Sequence, residues 1–123
     1  MVINGVEFEF DISDLKDNEN YVNALKAYDE KIPELKKMEG MDTLRYGLSM
    51  IRDFFYDATG VDVCADVTSL KKALKLYKEF LGKVAEQTRE MNELFDGFKP
   101  DKGEKAVPVY PVGYMGGARP PRK

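Results

Sequence analysis

The sequence predicts a mostly α-helical fold: a short N-terminal β-hairpin or ribbon packed on a three-helix antiparallel arrangement, followed by an extended C-terminal tail. Three observations carry this reading. Val6, Phe8, Phe10 and Ile12 alternate with Glu7, Glu9 and Asp11, the period of two that puts apolar side chains on one face of a strand. Apolar residues then recur at spacings of three and four through three successive stretches, the period of a helix. Finally, residues 99–123 hold five of the six prolines and no helical period. The division is therefore a ribbon-plus-helix domain over 1–98 and a Pro/Gly-rich basic tail over 99–123.

Asn4-Gly5 is the strongest short hairpin signal, because both residue types accept the positive φ of a type I′ turn. Only Met1 to Ile3 precede it, so the ribbon has one stub strand. Its apolar face must lie on helices, and its long strand is expected to keep an edge open to strand addition. Phe8 and Phe10 are expected core anchors.

The first helix is expected over about Asn18 to Lys37, capped by Asp17 or Asn18, with Tyr21, Leu25, Tyr28, Ile32 and Leu35 on one stripe. Pro33 removes an amide donor and crowds the preceding turn, which predicts a kink or break near Asp29 to Ile32. A second helix is expected from Thr43 to Ala58 or Thr59, capped by Asp42 and closed by Gly60. Its apolar face is Leu44, Leu48, Ile51, Phe54, Phe55 and Ala58, and it is the expected centre of the core.

The third helix, about Ser69 to Asp96 with Asp66, Thr68 or Ser69 as its cap, carries Leu70, Leu74, Tyr77, Leu81, Val84, Thr88, Met91 and Phe95 in a four-three rhythm. At the α-helical rise it spans about 42 Å, against roughly 30 Å for a small domain. One end should therefore project or meet a partner. Ala73, Leu76 and Phe80 widen the first half of the face. The second half narrows to Thr88, Met91, Leu94 and Phe95, a seam for the first helix or for another subunit. Gly82 is the expected point of close helix approach. In the tail, Tyr110, Tyr114 and Met115 interrupt a polyproline-like sequence and are candidate partner-binding residues.

Composition narrows the chemistry. There is no histidine, which removes Ser-His-Asp and Cys-His catalysis and the usual zinc ligand sets. Cys64 is the single cysteine and is expected to be a small buried residue. No Walker, GxGxxG or GxSxG motif occurs, and DLKDNENYVNALKAYDE fails as a calcium loop because Tyr21 stands where a ligand oxygen is required. The expectations are thus no catalytic residues, no cofactor and no metal: not an enzyme. Residues 1–98 hold thirteen basic against twenty acidic residues, whereas 99–123 hold six against two. An acidic body repels phosphate backbones, so no nucleic acid is expected. No run of eighteen apolar residues exists and the N-terminus is acidic, so neither a membrane span nor a secretion signal is expected, and the chain reads as cytoplasmic.

The start INGVEFEFDI, followed by about a hundred residues of mixed acidic and basic helical sequence containing IRDFF (Ile51 to Phe55), resembles small proteins encoded among the tail genes of long-tailed, siphovirus-type bacteriophages and prophages. Among these it is most similar to the tail assembly chaperone type, over residues 1 to about 98. The Pro- and Gly-rich end departs from the basic, helix-compatible ends of that type. The resemblance implies a mostly helical, non-enzymatic protein of the bacterial host cell. Such a protein coats the coiled-coil tape-measure protein, helps deliver tail-tube protein and is absent from the finished particle. The apolar seam would then bind the tape measure or sister copies in a homo-oligomer, and the tail would recruit tube protein. Two other readings stand beside it: a generic oligomeric helical interaction module or regulator, and a minor structural tail component.

Overall fold

The computed structural model describes residues 1–97; the tail, with Tyr110, Tyr114 and Met115, lies outside the described residues. The element order is β1 (Val2–Ile3), β2 (Val6–Glu7), α1 (Leu15–Lys36), α2 (Met41–Thr59) and α3 (Leu70–Asp96). This is the mostly helical fold with an N-terminal hairpin that the sequence predicts.

The hairpin is antiparallel, pairing Val2 with Glu7 and Ile3 with Val6. Asn4 and Gly5 both take positive φ, 54° and 76°, as a type I′ turn requires. The Asn4 side chain donates to the Val63 carbonyl at 2.8 Å, pinning the turn to the α2–α3 loop. Phe8 still pairs with Met1, its amide donating to the Met1 carbonyl and its carbonyl accepting from the Met1 ammonium, both at 2.9 Å; pairing then stops, and the strap of Phe8 to Ile12 runs without strand structure into a turn closed by the Asp14 amide on the Asp11 carbonyl. The alternation was a true signal of burial: Phe8, Phe10 and Ile12 all face the core.

α1 starts three residues earlier than expected. Asp14 is its cap, accepting from the Asp17 amide at 3.0 Å. The early turn is hidden in the sequence because Leu15 is 83% exposed and adds nothing to the apolar stripe. The helix runs through Pro33 to Lys36 with no break. α2 begins at Met41 with Gly40 as its N-cap and without a side-chain cap, so Asp42 sits in the first turn instead, where a carboxylate favours the positive end of the helix dipole. Gly60 closes α2 in the left-handed region, φ 80°, its amide on the Tyr56 carbonyl, a conformation that costs glycine little. Ser69 caps α3, accepting from the Lys72 amide at 3.2 Å.

The three helices meet around aromatic rings. α1 runs antiparallel to α2 across a short turn, with Lys31 ion-paired to Asp53 at 3.2 Å. Against α3, Tyr28 stacks on Tyr77 at 4.6 Å while Tyr21 meets Phe80 edge-on at 5.8 Å. Phe54 of α2 lies between them, within 6.2 Å of Tyr21, Tyr28, Phe55, Tyr77 and Phe80. Offset and edge-on rings of this kind add to the stabilisation from burial alone.

On α3 the buried line is Ala73, Leu76, Phe80, Val84 and Thr88. Leu74, placed by the heptad reading on the apolar stripe, is 40% exposed, as is Leu44 of α2 at 50%. Gly82 is open, with nothing within 4 Å of where a Cβ would stand, so it is not the close approach. Gly47 is: a Cβ there would fall 2.9 Å from Leu70 Cδ1, and this missing methyl lets α3 start against α2.

Candidate functional site

The strap explains why a helical bundle begins with extended chain. Phe8 and Phe10 lie 6.4 and 5.3 Å from Phe80, and Phe10 also meets Tyr21 at 6.0 Å. The strap therefore roofs the junction of α1 and α3. Its backbone is held by side chains: Gln87 donates to the Phe10 carbonyl and accepts from the Ile12 amide, both at 2.9 Å. Asn18 donates to the Ile12 carbonyl at 3.0 Å, Asp17 accepts from the Asp11 amide at 3.0 Å, and Lys83 reaches the Val2 carbonyl at 3.2 Å. The edge expected to be open to strand addition is thus largely taken, because side chains supply the partners another strand would bring.

Beyond the strap the exposure of α3 rises towards its end. Thr88 is buried, its hydroxyl donating to the Val84 carbonyl at 3.0 Å. Among the candidate partner-binding residues it therefore faces inward. Met91 is half-buried, Leu94 is 71% exposed and Phe95 44%. Among the described residues Asn92 Oδ1 is buried and without a hydrogen-bond partner, a state that costs stability. The described part of the expected seam reduces to one end of one helix: Met91, Leu94 and Phe95 beside an unsatisfied acceptor. A further concavity lies between α2 and the α2–α3 loop, lined by Arg45, Ser49, Arg52 and Tyr56 of the helix and by Asp62 and Val67 of the loop. Arg52 and Asp62 neutralise each other across it, Nη2 to Oδ2 at 2.6 Å, and this pairing holds the Asp62 carboxyl below the usual range.

Cys64 is fully buried, and desolvation, with Asp62 adding to it, pushes its thiol up to about 11. A thiolate is the reactive form, so iodoacetamide at pH 8 is expected to label Cys64 only as fast as the protein unfolds. Burial also raises Tyr21, Tyr28 and Tyr77. These groups leave stability unchanged below about pH 8. Above it the unfolded chain releases protons that the folded chain retains, so stability is expected to fall as pH rises from about 9 towards 11. Urea midpoints measured across that range check the sign.

Among the described residues no helix is long and apolar enough to cross a membrane, and no group of three or more His, Cys, Asp or Glu is placed to hold a metal ion. A family model described as a family of unknown function (DUF6673) matches residues 4–107. No curated protein and no solved structure matches the chain.

Proposed function

The chain belongs to this family of unknown function, and we propose from its surface that it is a non-enzymatic docking protein of the tail assembly chaperone kind, holding a partner chain against the free end of α3. The observation that carries this reading is the pair Leu94 and Phe95, 71% and 44% exposed at the end of α3. Large apolar side chains on a rigid helix end are the usual anchors of a helix-in-groove contact. The resemblance of INGVEFEFDI and IRDFF supplies the partners: the tape-measure protein, whose long apolar helices need cover before assembly, and the tail-tube protein that joins them.

The test is co-expression with a tape-measure protein encoded beside this chain. The wild type is expected to keep that protein soluble. Leu94→Glu/Phe95→Glu is expected to lose most of that effect while its own urea midpoint moves little, since surface substitutions cost about 0.5 kcal/mol or less. A tape measure that stays insoluble with the wild type, or one rescued equally by the double variant, overturns the reading. Light scattering of the two forms tells whether the same end seats a second copy instead.

A further inference from the structure

We propose that the outer face of α2, centred on Arg45 and Arg52, is a second docking surface, fitted to an amphipathic helix of a partner protein that carries carboxylates beside its apolar side chains. The face is one line of the helix: Met41, Arg45, Leu48, Arg52 and Tyr56 recur at spacings of three and four. Met41, Tyr56 and the neighbouring Leu44 are all exposed, while the other side of α2 supplies the buried Ile51, Phe54, Phe55 and Ala58.

The cations of this face are unlike those of the other two helices. α1 carries four lysines and no arginine, and α3 five lysines and one arginine. α2 has no lysine, and both of its basic residues are arginine. The lysine ammonium holds its water tightly, whereas the flat guanidinium gives water up more readily and forks onto carboxylates. Arginine, tyrosine and methionine accordingly gather in protein interfaces, from which lysine is depleted. On α2 the first three share one exposed line and the fourth is missing.

The charges say what the occupant carries. Arg45, Ser49, Arg52 and Tyr56 bring hydrogen-bond donors to the concavity of about 390 Å³ between α2 and the loop, beside the apolar Leu48 and Val67. Its two carboxylates are taken, Asp62 by Arg52 at 2.6 Å and Asp53 by Lys31 at 3.2 Å. Asp62 occupies only Nε and Nη2 of the Arg52 guanidinium. Arg45 makes no ion pair among the described residues. A hollow with donors in surplus takes an acceptor, and a carboxylate is the protein group that forks onto arginine. An extended polyanion would meet the acidic body around the hollow, and the apolar lining gives free phosphate nothing. A second copy presenting the same face would set arginine against arginine. A helix with a carboxylate for Arg45 and Arg52 and apolar side chains for Met41, Leu44 and Leu48 meets each requirement.

This surface is separate from the free end of α3. Phe55 of α2 meets Phe80, and Leu94 lies about 21 Å further along the helix. The proposal therefore does not rest on the reading of Leu94 and Phe95.

The experiment selects a displayed library of random peptides of about fifteen residues, about 22 Å long as helices, on the immobilised full chain, with Leu44→Glu/Arg45→Glu as the counter-selection. Peptides with apolar residues at helical spacing and Asp or Glu beside them are expected to dominate. The affinity of the most enriched peptide, read by fluorescence anisotropy, should fall about tenfold or more in Arg45→Gln, as for the loss of a hydrogen bond to a charged group. Arg45→Lys, which keeps the charge and loses the fork, should fall between the two. Both variants should keep the urea midpoint of the wild type, because Arg45 is exposed and unpaired. Enrichment of no peptide, or of peptides without carboxylates, overturns the proposal, as does binding unmoved by Arg45→Gln. Displacement of the peptide by inorganic phosphate at the peptide's own concentration overturns it in favour of a free-anion pocket. Self-association of the wild type that Arg45→Gln abolishes in light scattering overturns it in favour of a second copy. None of these results alters the tape-measure co-expression test, whose variants lie on α3.

Discussion

Phe80→Ala is expected to lower folding stability by about 3–5 kcal/mol, as for other aromatic truncations in a packed core. The ring is fully buried and lies within 6.4 Å of Phe8, Phe10, Tyr21, Phe54 and Phe55. It thus touches the strap, α1 and α2 at once, and no single neighbour can move to fill the gap without leaving another. Against a total of about 5–15 kcal/mol for an ordinary domain, this loss brings the protein near its unfolding threshold. Urea unfolding followed by circular dichroism measures it. Phe95→Ala, on the same helix but 44% exposed, is the comparison and should cost about 0.5 kcal/mol or less. Equal losses for the two would mean that α3 is not buried as described.

Gln87→Leu is expected to cost about 2 kcal/mol, because it leaves the Phe10 carbonyl and the Ile12 amide without their partners in a part-buried setting. The loss should be local. Hydrogen exchange at the Ile12 amide is expected to quicken by about tenfold or more, the equivalent of about 1.4 kcal/mol, while amides in the middle of α2 change only with global stability. Gln87→Glu separates the two bonds: it keeps an acceptor for Ile12 and loses the donor to Phe10. Unchanged exchange at Ile12 in Gln87→Leu would show that the rings, with the bonds to Asn18 and Asp17, hold the strap without Gln87.

Much of this fold is legible in the sequence where a residue's type and its spacing say the same thing. Asn4-Gly5 marks a turn because few other pairs accept two positive φ values, and the Phe8, Phe10 and Ile12 alternation marks burial whether or not a strand forms. Ser69 and Gly60 close helices for reasons intrinsic to their side chains or to the lack of one. The heptad reading of α3 is less faithful. It includes Leu74, which is exposed, while Ala73, Leu76 and Phe80, the residues the sequence adds to that face in its first half, take the core; the spacing gives the width of the face but not which of its edges the strap and α1 cover. Gly47 and Gly82 are alike in sequence, both glycines within helices, and only the position of Leu70 separates close packing from open surface.

The candidate site is legible in part. Helix length against domain size leads to the expectation of a projecting end, and of the residues named there Leu94 and Phe95 are exposed. Thr88, placed by the four-three spacing on the apolar line, is buried with its hydroxyl on the Val84 carbonyl, so of the four seam residues it is the one turned inward. The polar role of Gln87 is invisible because its partners lie 75 and 77 positions away: on a helical wheel it is one more amide among charged residues. Asn92 likewise stands out only once its neighbours are placed.

The strap also fixes an order of events during translation. Its bonds to Lys83 and Gln87 join residues 75 to 81 positions apart, and a ribosome adds roughly 5–20 residues per second. For several seconds the nascent chain can pair α1 with α2, yet Phe8, Phe10 and Phe54 lack the ring of Phe80 that would cover them. Phe8 to Ile12 are thus among the last residues to settle, although they are made before all three helices.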